Sequence, residues 1–155
     1  MVDTRSEAQR SRIMAAVHSK NTKPELFVRR FLWSRGIRYR IHYKNLPGSP
    51  DIVIPRCKIV IFIHGCFWHG HKNCKRGRLP KSKIDYWKNK IEANMSRDLK
   101  IQDNLETMGW KYLIIWDCQI TTKKSANIAL LNLLKNIENL CPELRIKQTE
   151  LGNSS

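Results

Sequence analysis

A mixed α/β layer fold is predicted by two hydrophobic patterns that follow one another along the chain. Apolar residues recur at helical intervals in four segments, and short apolar or alternating runs typical of strands lie between them. The predicted order is α-α-β-β-β-α-β-α, in which helices cover the faces of one sheet. A length of 155 residues fits a single compact domain.

The first two predicted elements are helices. Residues 6–18 carry a thin apolar stripe among polar residues and indicate a short helix or arm. Thr22 and Glu25 have the spacing of a capping box with a proline in the first turn, and they predict a helix over about residues 23–35. Gly36 then ends this helix.

Three strands are predicted next. Alternation over residues 39–43 indicates a strand, and a turn rich in proline and glycine follows it. Residues 51–54 and 59–63 are expected to form two further strands that pair around Pro55 and Arg56. The last of these strands is apolar enough to lie at the centre of the sheet.

The second half of the chain is predicted to alternate between loop, helix and strand. Residues 65–80 show no periodicity and indicate an irregular loop that must be held by something else. A long helix, continuous or broken near Ser96, is predicted over residues 82–109. A strand over 110–116 and a closing helix that reaches Leu140 complete the fold.

The charge balance favours a polyanionic partner. Lys and Arg number 29 against 13 Asp and Glu, which gives a net charge of +16 at pH 7, and nucleic acid is favoured over a membrane surface because no cationic amphipathic helix stands out. No apolar run reaches the ~20 residues of a membrane span, and residues 1–9 lack a secretory signal, so a soluble intracellular protein is expected. Residues 52–84 contain no aspartate or glutamate. We expect the basic side chains of this segment to surround a phosphate-binding site; they are Arg56, Lys58, Lys72, Lys75, Arg76, Arg78, Lys81 and Lys83.

Cysteine and histidine are concentrated in the irregular loop. Five cysteines, an odd number without an export signal, argue against a disulfide framework. Thiolate and imidazole favour structural zinc, which supplies the folding free energy that a coreless loop needs. Buried thiols beside solvated histidines are the alternative, and the choice of histidine ligand stays open. The candidate ligands are Cys66, His71, Cys74 and Cys118. Cys57 and Cys141 are expected to be free thiols.

Asp51, His64 and His69 are the candidate catalytic residues. Asp51 begins one strand and His64 ends its neighbour, so their side chains can converge at a hard divalent cation. One carboxylate and two imidazoles can provide the metal ligand, base and acid that phosphodiester hydrolysis needs. From the pattern alone, a turn-stabilising role for Asp51 and a capping role for Glu25 are favoured over catalysis.

Aromatic and polar residues suggest contacts with bases. Phe67 and Trp68 in the loop either stack on or wedge between bases, or pack against the zinc site. Met14 on the arm is a second wedge or a helix contact. Lys90 and Asn94 lie one helical turn apart and either face DNA or form a solvated helix face.

Four segments form a pattern that runs in order from about Arg10 to Cys118. They are Leu-Pro-Gly-Ser-Pro-Asp-Ile-Val at 46–53, Phe-Ile-His-Gly-Cys-Phe-Trp-His-Gly-His at 62–71, the helix residues Trp87, Lys90, Asn94, Arg97 and Asp98, and the segment 110–118. Together they resemble the very-short-patch repair (Vsr) DNA mismatch endonucleases. The His-Gly-Cys-Phe-Trp-His string is specific to that family.

The resemblance implies a bacterial enzyme with a restriction-endonuclease-like fold that acts on double-stranded DNA containing a T·G mismatch from deaminated 5-methylcytosine. It nicks the thymine strand on the 5′ side of the T. Mg²⁺ is held by Asp51 and the main-chain carbonyl of Ile63, with Glu25 reaching the metal through water. His69 acts as general base and His64 assists at the phosphate. The resemblance also implies a zinc site formed by Cys66, His71, Cys74 and Cys118. It implies that Phe67, Trp68 and Met14 enter the base stack. Lys90 and Asn94 match family positions that face the DNA.

Two departures accompany the resemblance. Ile63 stands where some relatives have threonine, which matters little for a carbonyl ligand. Cys74 is one residue farther from His71 than in relatives with a tighter spacing, which still permits ligation. A further feature agrees with the family: Phe62 and His64 replace the acid and lysine of related restriction nucleases, and the resemblance therefore assigns the catalytic role to histidine.

The organisation expected from these arguments is an arm that contacts DNA at 1–20, one endonuclease domain at 21–147 and a disordered tail at 148–155. A monomer in the bacterial cytoplasm, associated with the nucleoid and with repair proteins as further partners, is expected. Two alternatives remain: a zinc-stabilised DNA-binding module without catalysis, and a restriction endonuclease that cuts matched duplex.

Overall fold

The computed structural model of the chain describes residues 22–147, so the predicted arm with Met14 and the predicted tail lie outside the described residues. The helices are α1 (Lys23–Ser34), α2 (Ile84–Thr107) and α3 (Lys123–Leu140), and the strands are β1 (Ile52–Ile54), β2 (Ile59–His64) and β3 (Lys111–Trp116). Short 3₁₀ turns occupy Pro55–Cys57, Lys75–Gly77 and Asp117–Ile120. None of the described helices has the length and apolar content needed to span a bilayer.

The three strands form one mixed sheet in the order β1-β2-β3. β1 and β2 are an antiparallel hairpin with Ile52 opposite Ile61, and β2 and β3 are parallel with Ile61 opposite Leu113. The parallel pair requires a long crossover, which α2 provides. The predicted pairing of the hairpin and the central position of β2 are confirmed.

Both faces of β2 are buried, because its side chains alternate between two cores. Ile59 and Ile61 pack with α1 and α3, whereas Val60 and Phe62 pack toward α2. A strand covered by helices on both faces needs a continuous apolar run, which residues 59–63 supply. The expected restriction-endonuclease-like architecture, a mixed central sheet flanked by helices with a cysteine- and histidine-rich loop, is confirmed.

The predicted start of α1 is confirmed, whereas α2 begins two residues after the predicted position. Thr22 caps α1 by accepting the N–H of Glu25 at 3.4 Å, and α3 begins with a reciprocal capping box between Thr122 and Ser125. α2 is one continuous helix of 24 residues, so the alternative of a break near Ser96 is wrong.

The prediction of a strand over residues 39–43 is wrong. Only Arg40 pairs with a strand, through an isolated antiparallel bridge to Val53. His42 has a φ of 56°, in the left-handed region, which breaks the extended backbone after two residues. The described order is therefore α-β-β-α-β-α.

The expectation that Cys57 and Cys141 are free thiols is also wrong, because they form a disulfide. Cys57 lies in the turn between β1 and β2, and Cys141 follows the end of α3. The fold brings these ends together with 5.7 Å between the two Cα atoms, which suits a disulfide. The pairing joins positions separated by 84 residues, a distance that no local pattern reveals.

Reduction of this disulfide is expected to lower the free energy of unfolding by about 4 kcal/mol, because the cross-link restricts a long loop in the unfolded chain. Urea unfolding with and without a phosphine reductant measures the effect. Cys57→Ser is the control, since its unfolding midpoint should not respond to reductant. Equal midpoints for the wild-type chain in both buffers would contradict a stabilising role.

Candidate active site and metal centre

A cavity of about 460 Å³ opens at the carboxyl end of β2. It is lined by acidic and imidazole side chains from every layer of the fold, including the first turn of α1, the residue before β1, the end of β2, the following loop and the middle of α2. The polar lining residues that carry the argument are Glu25, Asp51, His64, His69 and Asp98.

Asp51 is fixed at the rim of β2. Its Oδ2 accepts the backbone N–H of Ile63 at 2.7 Å. Because the N–H and C=O of one strand residue point to the same side, the carbonyl of Ile63 also faces the Asp51 edge. The turn before Asp51 packs closely on α2, since Gly48 has a φ of 79° and a Cβ there would lie 2.5 Å from Cγ2 of Ile101.

The carboxyl group of Asp51 resists ionisation. Burial, together with the nearby Glu25, raises its pKa to about 6 against the lowering effect of the Ile63 N–H. Glu25 is itself 8% exposed and forms an ion pair with Arg29 at 3.0 Å. Two carboxyl groups beside a carbonyl at one cavity edge are the hard oxygen donors that bind Mg²⁺.

The two candidate histidines stack on each other. The rings of His64 and His69 lie parallel, with 3.7 Å between centroids and 3° between planes. Nδ1 of His69 lies 2.6 Å from Oδ2 of Asp98. The carboxylate of Asp98 therefore holds the proton on Nδ1 and leaves Nε2 as the proton acceptor.

His64 is neutral at pH 7. It is 6% exposed, and burial next to His69 lowers its pKa to about 4. Its Nδ1 is buried without a hydrogen-bond partner among the described residues. A neutral imidazole that faces the cavity can donate one N–H to an anionic group.

Sequence reasoning assigned no role to Asp98, although it noted the residue. Ile91, Met95, Asp98, Ile101 and Leu105 follow one another at intervals of three or four on α2. Leu105 and Ile101 pack toward the sheet, whereas Ile91 and Met95 pack against Gly70 of the loop. An aspartate within a buried stripe was the available signal for a functional carboxylate.

A second cluster lies beside the cavity. One ligand atom from each of Cys66, His71, Cys74 and Cys118 falls within 4.8 Å of the others. Nδ1 of His71 is 3.5 Å from Sγ of Cys118, close to the roughly 3.5 Å expected between nitrogen and sulfur on a tetrahedral zinc. The four predicted ligands converge, including Cys74 despite its longer spacing, and they can hold a metal.

The loop that carries this cluster is tied to the rest of the fold at two places and is closely packed within itself at a third. The ring of His71 stacks on Trp116 at 4.0 Å, and Arg76 forms an ion pair with Asp117 at 2.8 Å. Gly77 packs against the carbonyl of His71 so closely that a side chain there would collide with it. The cluster thus links the loop to the end of β3.

The loop aromatics pack together at the start of α2. Trp68 is 7% exposed and contacts Phe67 and Trp87 edge to face, at 5.1 and 6.0 Å. Nζ of Lys90 lies 5.6 Å from the ring centre of Trp68, and Nδ2 of Asn94 donates to the Trp68 carbonyl at 3.1 Å. Asn94 therefore anchors the loop in this state.

The basic run does not surround the cavity as a whole. Arg56 and Lys58 lie at the β1–β2 turn, at the opposite end of the sheet, and that part of the expectation is wrong. The others follow the loop, which forms a groove with α2 just beyond the cavity. Basic residues of this groove are Lys72, Lys75, Arg78 and Lys88.

Comparisons with known proteins agree with this geometry. The sequence profile described as DNA mismatch endonuclease Vsr matches residues 2–76. The chain is 47% identical over 134 residues to the type II nicking enzyme V.XorIIP of Xanthomonas oryzae pv. oryzae, covering 86% of this chain and 98% of the relative.

Two further relatives extend the similarity. The type II nicking enzyme V.NmeAIP of Neisseria meningitidis is 44% identical over 138 residues, covering 89% of this chain and 98% of the relative. The DNA mismatch endonuclease Vsr of Escherichia coli is 36% identical over 120 residues, covering 77% of this chain and 76% of the relative. All three similarities extend past the profile match into the second half of the chain.

Proposed function

This chain belongs to the Vsr family of DNA mismatch endonucleases, and from that premise we propose that it nicks the thymine strand of a T·G mismatch on the 5′ side of the T, with Mg²⁺ as cofactor. The observation that carries the proposal is the convergence of Asp51, the His64–His69 stack and Asp98 in one cavity. The enzyme is proposed to act as a monomer, near the nucleoid in the bacterial cytoplasm, and to work with other repair proteins.

His69 is the proposed general base. Asp98 keeps the proton on Nδ1, so Nε2 can take a proton from water as its oxygen attacks phosphorus. The bond from phosphorus to the leaving oxygen breaks in the same displacement, its electron pair stays on that oxygen, and the oxygen takes a proton from solvent water. His64, neutral and stacked on His69, donates a hydrogen bond to a phosphate oxygen.

Asp51 and the carbonyl of Ile63 would hold Mg²⁺, with Glu25 reaching it through water. The fit rests on oxygen donors that share one cavity edge. Bound there, the ion supplies charge to offset the developing negative charge on the phosphate. The Cys66, His71, Cys74 and Cys118 cluster would hold zinc, whose preferred donors are thiolate and imidazole.

DNA contacts are proposed from the loop and its surroundings. Phe67 and Trp68 would enter the base stack together with Met14, which lies outside the described residues, and Lys90 and Asn94 would face the DNA. Because Trp68 is largely buried, its insertion requires the loop to rearrange. The domain would span 21–147, preceded by a DNA-contacting arm at 1–20 and followed by a disordered tail at 148–155.

A strand-resolved nicking assay tests the proposal. The substrate is a duplex with one T·G pair, labelled on both strands, and the control is the same duplex with T·A. We expect one cut, in the thymine strand of the T·G duplex, that depends on Mg²⁺. Equal cutting of both duplexes would indicate a restriction endonuclease, and binding without cutting would indicate a DNA-binding module.

Asp98→Asn is expected to lower the nicking rate about 100-fold, because the amide can also donate to Nδ1 and so no longer enforces one tautomer of His69, and because it lacks the charge that stabilises the protonated ring. Single-turnover rates on the T·G duplex measure the change. Asp103→Asn, an exposed site on the same helix, is the matched control and should retain the wild-type rate. A wild-type rate in Asp98→Asn would remove this carboxylate from the mechanism.

The basic groove is expected to contact the DNA backbone. Replacing Lys72 and Lys75 with alanine should reduce the slope of log affinity against log salt by about 2, since each lost phosphate contact removes about 0.9. The matched control replaces Arg56 and Lys111, exposed at the opposite end of the sheet. Fluorescence anisotropy across a salt series measures the slope for both double variants. Identical slopes in the two double variants would place the DNA elsewhere.

A further inference from the structure

The outer edge of β3 is free among the described residues. β3 is the last strand of the sheet, and the N–H of Lys111 donates inward to the carbonyl of Lys58 at 2.9 Å. Because strand residues alternate, Tyr112 and Ile114 direct their backbone N–H and C=O groups outward. The N–H of Trp116 also points outward, and the side chain of Gln119 accepts it at 2.9 Å. Tyr112 and Ile114 therefore each present an unpaired backbone N–H and C=O at this edge.

A groove of about 420 Å³ runs between this edge and α3. Its floor includes the buried Leu133, and its rim carries the exposed amides of Asn132 and Asn136, one helical turn apart. The groove thus offers apolar contact and amide hydrogen bonds beside an unpaired strand. Its lining residues are Tyr112, Leu113, Ile114, Ile115, Gln119, Ala129, Asn132, Leu133 and Asn136.

The groove has no charged lining residue, although the chain carries a net charge of +16. A surface for the DNA backbone needs lysine or arginine, as the groove beside the metal cluster has. An occupant that satisfies backbone N–H and C=O groups at strand spacing is another extended polypeptide.

We propose that the β3 edge binds a short, uncharged, extended segment of a partner protein, which adds as a fourth strand with apolar side chains at alternate positions. The segment would continue the hydrogen-bond ladder of the sheet at Tyr112 and Ile114. The last described residue, Lys147, lies away from this groove, since its N–H donates to the carbonyl of Arg35 beyond α1. The surface is separate from the cavity, so this proposal does not depend on the proposed nicking activity.

The test uses the full chain and an acetylated, amidated pentapeptide, Thr-Val-Thr-Val-Thr. In the free protein, the amides of Tyr112 and Ile114 should exchange with deuterium quickly, whereas those of Leu113 and Ile115 should exchange slowly. Saturating peptide should slow exchange at Tyr112 and Ile114 at least tenfold. A twin peptide, N-methylated on its pairing edge, should give no protection. Slow exchange of Tyr112 and Ile114 in the free chain, or equal binding of both peptides, would overturn the proposal.

A pair of variants tests whether the peptide contacts the groove rather than another face of α3. Asn132→Arg should raise the peptide dissociation constant at least fivefold, because it removes a rim amide and places a larger side chain in the groove lining. Asn127→Arg makes the same change on the opposite face of α3 and should bind like the wild type. Both variants should nick DNA at the same rate. An unchanged peptide affinity in Asn132→Arg would also overturn the proposal.

Discussion

Asp51→Asn is expected to reduce T·G nicking at least 1000-fold, while the variant folds and binds the duplex. The amide keeps an oxygen to accept the Ile63 N–H but cannot supply the charge that holds a divalent cation. A loss of about 4 kcal/mol in transition-state stabilisation corresponds to three orders of magnitude in rate. Single-turnover nicking with Mg²⁺ measures the loss, and anisotropy measures the binding.

The stability of this variant provides its control. The pKa of Asp51 is raised from 3.8 to about 6, so the folded chain retains a proton that the unfolded chain releases. The free energy of unfolding therefore falls as pH rises from about 4 to about 6, and the buried carboxylate is destabilising above that range. Without metal, Asp51→Asn should be at least as stable as the wild type at pH 7. Nicking by this variant within tenfold of wild type would exclude Asp51 as a metal ligand.

Cys118→Ser is expected to lose the bound zinc and to be largely unfolded at 37 °C. Structural zinc can contribute roughly 10 kcal/mol or more, which is comparable to the whole stability of a typical domain, about 5–15 kcal/mol. The change also removes a contact to His71 at the end of β3. Metal analysis of the purified protein and circular dichroism melting measure the two effects.

Cys57→Ser is the matched control, because it replaces a cysteine outside the metal cluster. It should retain about one zinc per chain and remain folded. Spectroscopy with cobalt in place of zinc adds a test that does not require purified Cys118→Ser to be stable, since the thiolate-to-cobalt absorption of the wild type reports its number of sulfur ligands. Absorption typical of fewer than three thiolates would remove one cysteine from the cluster.

The elements with strong local patterns could be predicted from the sequence. The apolar run of β2 predicted a central strand because both faces are buried, and Thr22 predicted the start of α1 because the cap is local. The strand over residues 39–43 could not be excluded, since its alternation is genuine and only the backbone of His42 interrupts it. The Cys57–Cys141 pairing depends on where α3 ends relative to the hairpin, which is a tertiary property.

The sequence predicted most residues of the candidate site but not the contacts between them. The spacing of Asp51 and His64 placed both at one end of the sheet because the two strands are adjacent. The stack of His64 on His69, and the support from Asp98, required the loop to fold back onto α2. Periodicity cannot describe a loop of this kind, so its path and these contacts could not be predicted from the sequence.

The cavity draws its polar groups from positions as far apart in the sequence as Glu25 and Asp98, and this distribution limits how the protein can be divided. Residues 2–76, which match the family profile, contain Glu25, Asp51 and both stacked histidines but neither Asp98 nor Cys118. An isolated fragment of that length would keep the signature motif yet lack the carboxylate that contacts His69 and one of the four clustered cysteine and histidine side chains. A fragment that keeps both groups must extend at least through β3 and into the turn after it.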